Sequence, residues 1–342
     1  MPTDPVALTR QLVDIESISD NEAAVGHFLS RYLREQGFQV ETTPVPQSAG
    51  RERFNVYAGI SSDPPDVVLS THMDTVPPFF SSREDDQYIY GRGSSDAKGI
   101  IVAQIVAAER LRAMGVRVGL LFLVGEEHGS HGAKVANLKP KGSRFLINGE
   151  PTDNRLALAS KGVLNAVIRA HGKMAHSAYP ELGDSAIHKL VSVLERLLHM
   201  PLPSDPEVGP STLNIGLIEG GYAPNVIADK ASATILVRLV GPSDKIRASL
   251  KDVIGGDAEL EVALEIPFQR LKRIDGLSTM IAAFTTDVPA LSNWGEPLLF
   301  GPGSIHVAHT PNERLAKQEQ REAIDLYVQV AHRLVQGSFA SK

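Results

Sequence analysis

Residues 116–127 read V-R-V-G-L-L-F-L-V-G-E-E, an apolar run that stops on a glycine and two adjacent acids, Glu126 and Glu127. The run is short enough for a strand. It is apolar at nearly every position instead of every second one, so both of its faces are covered, as in a sheet with helices on each side. Similar runs stand at 54–60, 67–70 and 145–147, and a helical stretch from about 100 to 114 separates the second run from the third. This alternation predicts an α/β fold on a mixed, mostly parallel sheet flanked by helices. Such sheets carry their sites at the carboxyl ends of the strands. There the sequence places His72 with Asp74, Asp96, Glu126 with Glu127, and Glu150, and, far downstream, His309. Two neighbouring carboxylates at the end of a buried strand raise each other's pKa unless a cation sits close by. A bound pair of metal ions is the economical reading.

Composition narrows the chemistry. At 342 residues the chain exceeds the usual size of one hydrophobic core, which predicts two domains. It has no cysteine, so disulfides and thiolate metal sites are excluded and imidazole and carboxylate remain as the strong ligands. Acids outnumber bases 40 to 34, and the bases are scattered, which argues against a nucleic-acid partner. No apolar stretch reaches the ~18 residues of a membrane span, and the first residues lack the basic and apolar regions of a signal peptide. The expectation is a cytoplasmic protein with no membrane segment.

The chain opens with two helices, one capped by Asp4 with Pro5 at its first position and one starting near Asp20 and closed by Gly37. From about Lys161 the pattern changes to a strand at 163–170, a helix at 185–200, strands at 212–218 and 231–240, a helix from Ser243 and a strand at 259–266. That is a β-α-β-β-α-β unit. The proline-rich tract 201–210 is a loop inside it. Beyond Pro267 the first style returns, with a helix expected near 277–284, a strand at 297–300 and a terminal helix at 317–335. The boundaries are therefore 1–161 and 268–342 for one domain, with 162–267 inserted into it.

In T-H-M-D-T-V, His72 and Asp74 are two apart at a strand end and leave the same face, so one can bind metal while the other orients it. Asp96 follows in the glycine-rich turn G-R-G-S-S-D-A-K-G, which leads into a helix. With these two segments, V-G-E-E, N-G-E-P-T, G-P-G-S and A-H-T-P-N-E complete a set of six. The set resembles, in order and spacing, the aminoacylase, acetylornithine deacetylase and succinyl-diaminopimelate desuccinylase family of dinuclear zinc hydrolases, over nearly the whole chain. The resemblance implies a zinc-peptidase-like catalytic domain in which His72, Asp96 and Glu150 hold one metal and Asp96, Glu127 and His309 the other. Glu126 is then the general base, taking a proton from the attacking water and returning it to the leaving amine. Asp74 orients His72. The resemblance also implies a cis peptide between Asp96 and Ala97. Gly125 departs from the family, where most relatives have aspartate before the glutamate pair.

The inserted unit resembles the family's lid and dimerisation domain, which implies a homodimer. His176, in G-K-M-A-H-S-A-Y-P, corresponds to the histidine that reaches the partner's site and stabilises the oxyanion. Asn225 in A-P-N-V-I and Arg238 in L-V-R-L correspond to residues that grip the substrate, Arg238 through its α-carboxylate. Gly303 and Ser304 would add backbone donors. The implied activity is removal of an N-acyl group from an amino acid, free or bound to a carrier protein. G-P-G-S and A-H-T-P-N-E look closest to acetylornithine deacetylase and carrier-protein lysine or ornithine hydrolases of arginine or lysine biosynthesis. The implied metals are two divalent ions, zinc first, with cobalt or manganese tolerated by the same ligands. A dipeptidase or carboxypeptidase of the same fold is the alternative, and a metal binder without catalysis a further one, against which Glu126 argues. Other motif classes fail: the third glycine of a dinucleotide fingerprint is missing after Gly91 and Gly93, and Ser95 with Lys98 lacks a K-T-G partner. His128 and His131 read as loop histidines.

Overall fold

The computed structural model describes residues 3–46 and 51–337. The chain divides into two compact units. One comprises Met1–Leu158, Leu271–Met280 and Thr286–Lys342, and the other Ala159–Arg270 with Ile281–Thr285.

The first unit is built on a six-stranded sheet in the order Gln39–Pro44, Phe54–Gly59, Val118–Leu123, Val67–His72, Phe145–Asn148, Glu296–Leu299. The last four strands are parallel, and the first two add antiparallel, so the sheet is mixed and the fold is α/β as expected. Its apolar strands feed two cores. Val67, Leu69, Leu120 and Phe122 pack on one face with the Lys98–Ala113 and Lys317–Gln336 helices, while Val68, Leu121 and Leu123 pack on the other with Ala133, Leu291 and Trp294. Alternate residues of one strand point to opposite faces, so a strand buried on both sides must be apolar throughout. The register pairs His72 with Leu123, and Asn148 with both Ser70 and Leu299. The parallel strands therefore end nearly level, and the segments that follow them leave the sheet on the same side. Asp4 caps the first helix, its carboxylate accepting from the N–H groups of Val6 and Ala7, with Pro5 at the first position. Such a cap contributes about 1 kcal/mol.

The second unit is an antiparallel sheet in the order Thr212–Gly220, Lys230–Leu239, Gly162–His171, Glu259–Ile266, carrying the Ala186–Leu198 and Ser243–Ile254 helices. Leu164, Ala166, Ile168 and Ala170, with Ala231, Ala233, Ile235 and Val237, alternate inward onto Leu190, Val193, Ile246 and Leu250. This is the expected β-α-β-β-α-β unit.

Two expectations fail. The segment 277–284 is not a helix but contains the strand Thr279–Ala282, in one sheet with Leu156–Ser160. Leu277, Met280, Ile281 and Phe284 imitate a helical stripe, but the N–H of Leu156 donates to Ser278 and that of Lys161 to Ala282, and this pairing decides the conformation. It also brings Ile281–Thr285 back into the second unit, a return absent from the sequence-based boundaries. The Gln39–Pro44 strand was not anticipated either: it lies at the sheet edge, is largely exposed and shows no apolar run. Among the described residues no helix is long and apolar enough to cross a membrane.

Candidate metal centre

His72 ends its strand, Glu126 and Glu127 follow the end of theirs, and Glu150 stands two residues past Asn148. Asp96 sits on the turn before the Lys98–Ala113 helix, and the peptide bond that follows it, to Ala97, is cis as expected. His309 lies in the loop after Glu296–Leu299, in the left-handed region with φ 62°. These residues, with Asp74, Gly303 and Ser304, all belong to the first unit.

Three groups place one ligand atom of every member within 4.8 Å of the others: His72, Asp96 and Glu150; Asp96, Glu127 and His309; and His72, Glu126 and Glu127. The first two share Asp96. One Asp96 oxygen lies 2.9 Å from Nε2 of His72 and the other 3.3 Å from Nε2 of His309, which is itself 2.8 Å from Glu127. Asp96 thus turns one oxygen to each imidazole, the disposition a bridging carboxylate needs.

Electrostatics favours cations here. Burial first, and then the charge of Glu150, push the Glu126 carboxyl well above the usual range, and burial does the same to Glu150. Burial works against a charged His72, yet its hydrogen bonds to Asp74 and Asp96 outweigh it and raise the pKa. Hydrogen bonds that the His309 imidazole donates to Asp96 and Glu127 lift its pKa to about 10. Glu150 keeps one buried oxygen without a hydrogen-bond partner. An unpaired buried carboxylate oxygen costs several kcal/mol unless a cation or donor meets it. A set of carboxylates and imidazoles that runs from the buried His72, Asp96 and Glu150 to the exposed His309, with one buried oxygen left unpaired, fits divalent ions of hard or borderline character.

Asp74 does more than steer His72. The imidazole Nδ1 lies 2.9 Å from the Asp74 backbone oxygen and 3.5 Å from its carboxylate. That carboxylate accepts from the N–H groups of Glu126 and Glu127 at 3.1 and 3.2 Å and from the Ser19 hydroxyl at 2.7 Å. One buried acid therefore ties the His72 strand end to the glutamate pair.

Sequence reading missed three further groups. Arg53, almost fully buried, donates to Asp20 and Glu22 at 2.7 Å each and lies against Gly125, where a Cβ would overlap its guanidinium. Gly125 has φ +70°, so the departure from aspartate suits both the backbone and the packing. Glu313 and Arg92 form a buried ion pair beside Asp96. Asp287, 1% exposed, has no hydrogen-bond partner within 3.5 Å on either oxygen among the described residues. Burial pushes it up to about 7, with Asp74 and Glu127 adding to the effect. No local pattern marks Arg53 or Asp287, and Glu313, although it closes the motif A-H-T-P-N-E, meets the Asp96 turn only across the fold.

The other expected site residues are less gathered. His176 and Asn225 meet in the second unit: Ala175–His176 pairs with Val226–Ile227, and the N–H of Ser177 donates to the Asn225 carbonyl at 3.0 Å. Both side chains are exposed. Arg238 stands on its strand opposite Val163 and Thr212, half-buried, with no ion pair among the described residues. The Gly303 N–H is donated to Glu319 at 2.7 Å and is not free for a ligand, a correction to its expected role. Ser304 bridges to Thr152. His128 and His131 are exposed.

The family model of a peptidase dimerisation domain matches residues 158–259. A peptidase M20 domain-containing protein of Schizosaccharomyces pombe is 40% identical over 331 residues, covering 94% of this chain and 82% of that protein. A protein of Aspergillus terreus named "Probable carboxypeptidase" is 40% identical over 361 residues, covering 93% and 83%. Among solved structures, a tripeptidase from Staphylococcus aureus superposes with a TM-score of 0.83 at 22% identity over 97% of this chain and 98% of that one, a likeness of fold. The narrower likeness to acetylornithine deacetylase and to carrier-protein hydrolases finds no support in these names. With this identity along most of both chains, the protein belongs to the M20 peptidase family, whose members hydrolyse amide bonds.

Proposed function

We propose that the chain is a dinuclear metal-dependent carboxypeptidase or dipeptidase, with Glu126 as its general base. The observation that carries this reading is the Asp96 carboxylate, shared by two three-residue ligand groups, with the partly exposed Glu126 beside them. His72, Asp96 and Glu150 would hold one ion, and Asp96, Glu127 and His309 the other, zinc being the first choice of metal. The chemistry such ions supply is Lewis acidity, which polarises a scissile carbonyl and acidifies the attacking water. Glu126 takes the proton of that water and returns it to the amine as the amide C–N bond breaks. Asp74 fixes the backbone of Glu126 and so aims the base. Glu126 also lies within ligand distance of His72 and Glu127, so its role as base is the point to test.

The peptidase reading replaces the deacylase expectation on the relatives' names, and the chemistry of the site accommodates both. An N-acyl amino acid is the shortest member of the same substrate class, an amide whose amine side bears a free α-carboxylate. Arg238, a half-buried guanidinium without an acidic partner, suits that carboxylate in either case. His176 and Asn225 would complete the grip on the substrate.

A homodimer fits the dimerisation-domain match. The Ala186–Leu198 helix exposes Ile187, Val191 and Leu198 along one side, and the edge strand Thr212–Gly220 exposes Leu217 and Ile218. An open edge strand with apolar side chains is a ready surface for a second copy.

Glu126→Gln is the test. It should retain two zinc ions per chain by elemental analysis and lose about 10²- to 10⁴-fold in kcat on C-terminally free peptides. Loss of a metal would make Glu126 a ligand instead. A parallel panel of dipeptides, longer peptides, acetyl-ornithine and other acetyl amino acids decides the acyl side, and preference for acetyl-ornithine over every peptide would reverse the choice made here.

A further inference from the structure

We propose that Glu313 is a positioning residue of the metal centre, its buried carboxylate fixing the turn that carries Asp96 and thereby the spacing of the two ligand groups. The inference rests on Asp96 being the shared ligand. Oε1 of Glu313 accepts from three backbone N–H groups of one turn, those of Gly93 at 2.9 Å and of Ser95 and Asp96 at 3.2 Å each. Oε2 accepts from Nη1 of Arg92 at 2.5 Å. Successive N–H groups converging on one oxygen form an anion-binding concavity of the backbone, filled here from within the chain. Neither side chain of the pair is more than 2% exposed, so no solvent substitutes for these contacts.

The same residue touches the His309 side. Its carbonyl accepts from the N–H of Gly91, and its own N–H donates to Thr310, the residue after His309. One residue therefore ties the turn bearing Asp96 to the loop bearing His309, and those two side chains belong to the same ligand group. Asp96 is itself only 5% exposed, and its N–H is one of the three held by Glu313. A shift of that turn moves the carboxylate relative to His72 and His309 together.

Replacement by glutamine exposes the dependence. Gln keeps the volume but turns one acceptor into an NH2 donor, which then faces either the Arg92 guanidinium or the three N–H groups. Either orientation sets donor against donor in a buried space.

The experiment is titration of the metal-free full-length protein with zinc chloride by calorimetry, for wild type, Glu313→Gln and Arg92→Gln, with the visible spectrum of the cobalt-loaded forms as a second readout. Wild type is expected to take up two ions. Glu313→Gln, with its circular dichroism unchanged, is expected to bind about 10- to 100-fold more weakly in at least one step, with an altered cobalt spectrum. Arg92→Gln leaves the carboxylate among the N–H groups and should lose less. Wild-type affinity, stoichiometry and spectrum in Glu313→Gln overturn the proposal, as does an equal or larger loss in Arg92→Gln. If Glu313→Gln does not fold, amide exchange of the wild type decides: slow exchange at Gly93, Ser95 and Asp96 supports the proposal, and exchange at the rate of an open turn overturns it. Wild type that binds no divalent ion refutes the metal centre itself, a distinct result.

Discussion

Gly125→Ala is the substitution whose effect follows most directly from the packing. Gly125 has φ +70°, and an alanine forced into the left-handed region costs about 1–2 kcal/mol. The new Cβ would also overlap the Arg53 guanidinium. Arg53 cannot yield cheaply, because Nη2 is held by Glu22, whose side chain is fully buried, at 2.7 Å. Displacing it loses a charge-assisted hydrogen bond worth about 1.5–3 kcal/mol and leaves an acid unpaired. The two effects sum to about 2.5–5 kcal/mol, a large share of the stability of an ordinary domain. Urea unfolding of the metal-free protein should show the unfolding free energy falling by that amount, with a lower midpoint at unchanged m-value, and kcat should fall too, because residue 125 begins the turn that leads into Glu126. The double variant with Arg53→Ala removes the overlap but not the strain at φ +70°. It should therefore be less destabilised than the sum of the single changes by about 1.5–3 kcal/mol of coupling energy. Wild-type stability in Gly125→Ala, or strict additivity in the double variant, would refute the argument.

Three further outcomes are expected. The folded-state pKa of Asp287 is raised to about 7 against an ordinary value near 4, so its stabilising protonated form is fully present below pH 4 and stability is lost as pH rises through 7; Asp287→Asn should stabilise the metal-free protein at pH 8 and hardly at pH 4, and equal thermal shifts at both pH values would contradict this. Val191→Glu combined with Ile218→Glu places charge on the exposed apolar face of the second unit and should yield monomers in sedimentation, whereas an unchanged dimer places the interface elsewhere. Arg238→Ala should raise KM for substrates with a free carboxylate far more than it changes kcat, and His176→Ala should do the reverse, lowering kcat about 10²- to 10³-fold. The same split in both variants would mean that the two residues do not have separate tasks.

What was legible in the sequence was local. The run ending at Glu126 and Glu127 could be read as a doubly covered strand because burial on both faces leaves its mark on every residue, and the parallel register then brings His72, Glu127 and Glu150 to one end of the sheet. The inserted unit was readable because its inward residues alternate cleanly along each strand. The failures were of the opposite kind. The 277–284 stretch has helical spacing and became a strand through pairing with Leu156–Ser160, more than a hundred residues away. Arg53 and Asp287 meet groups distant in sequence, so nothing in their neighbourhoods could announce them, while Glu313 closes the motif A-H-T-P-N-E and only its grip on the Asp96 turn needed the fold. Asp74 was half-read: its place beside His72 was clear, while its grip on the glutamate pair needed the folded loop.

The same distinction explains why the motifs named the family and could not name the branch. All the metal-ligand candidates lie in segments that would surround the amide and its ions, and an amide looks the same to them whether an acetyl group or a peptide stands on its acyl side. Selection for a different acyl group has no reason to alter His72, Asp96, Glu127, Glu150 or His309, since their task ends at the scissile carbonyl. Two small loop motifs, G-P-G-S and A-H-T-P-N-E, therefore carried more weight than they bear: the structure commits the N–H of Gly303 to Glu319 and the carboxylate of Glu313 to the Asp96 turn, so both motifs serve the architecture of the centre. Residues that answer to scaffold geometry are shared across a family and cannot separate its substrates. The proposal of a peptidase over a deacylase rests instead on agreement spread over more than nine-tenths of the chain, at 40% identity with a protein named "Probable carboxypeptidase".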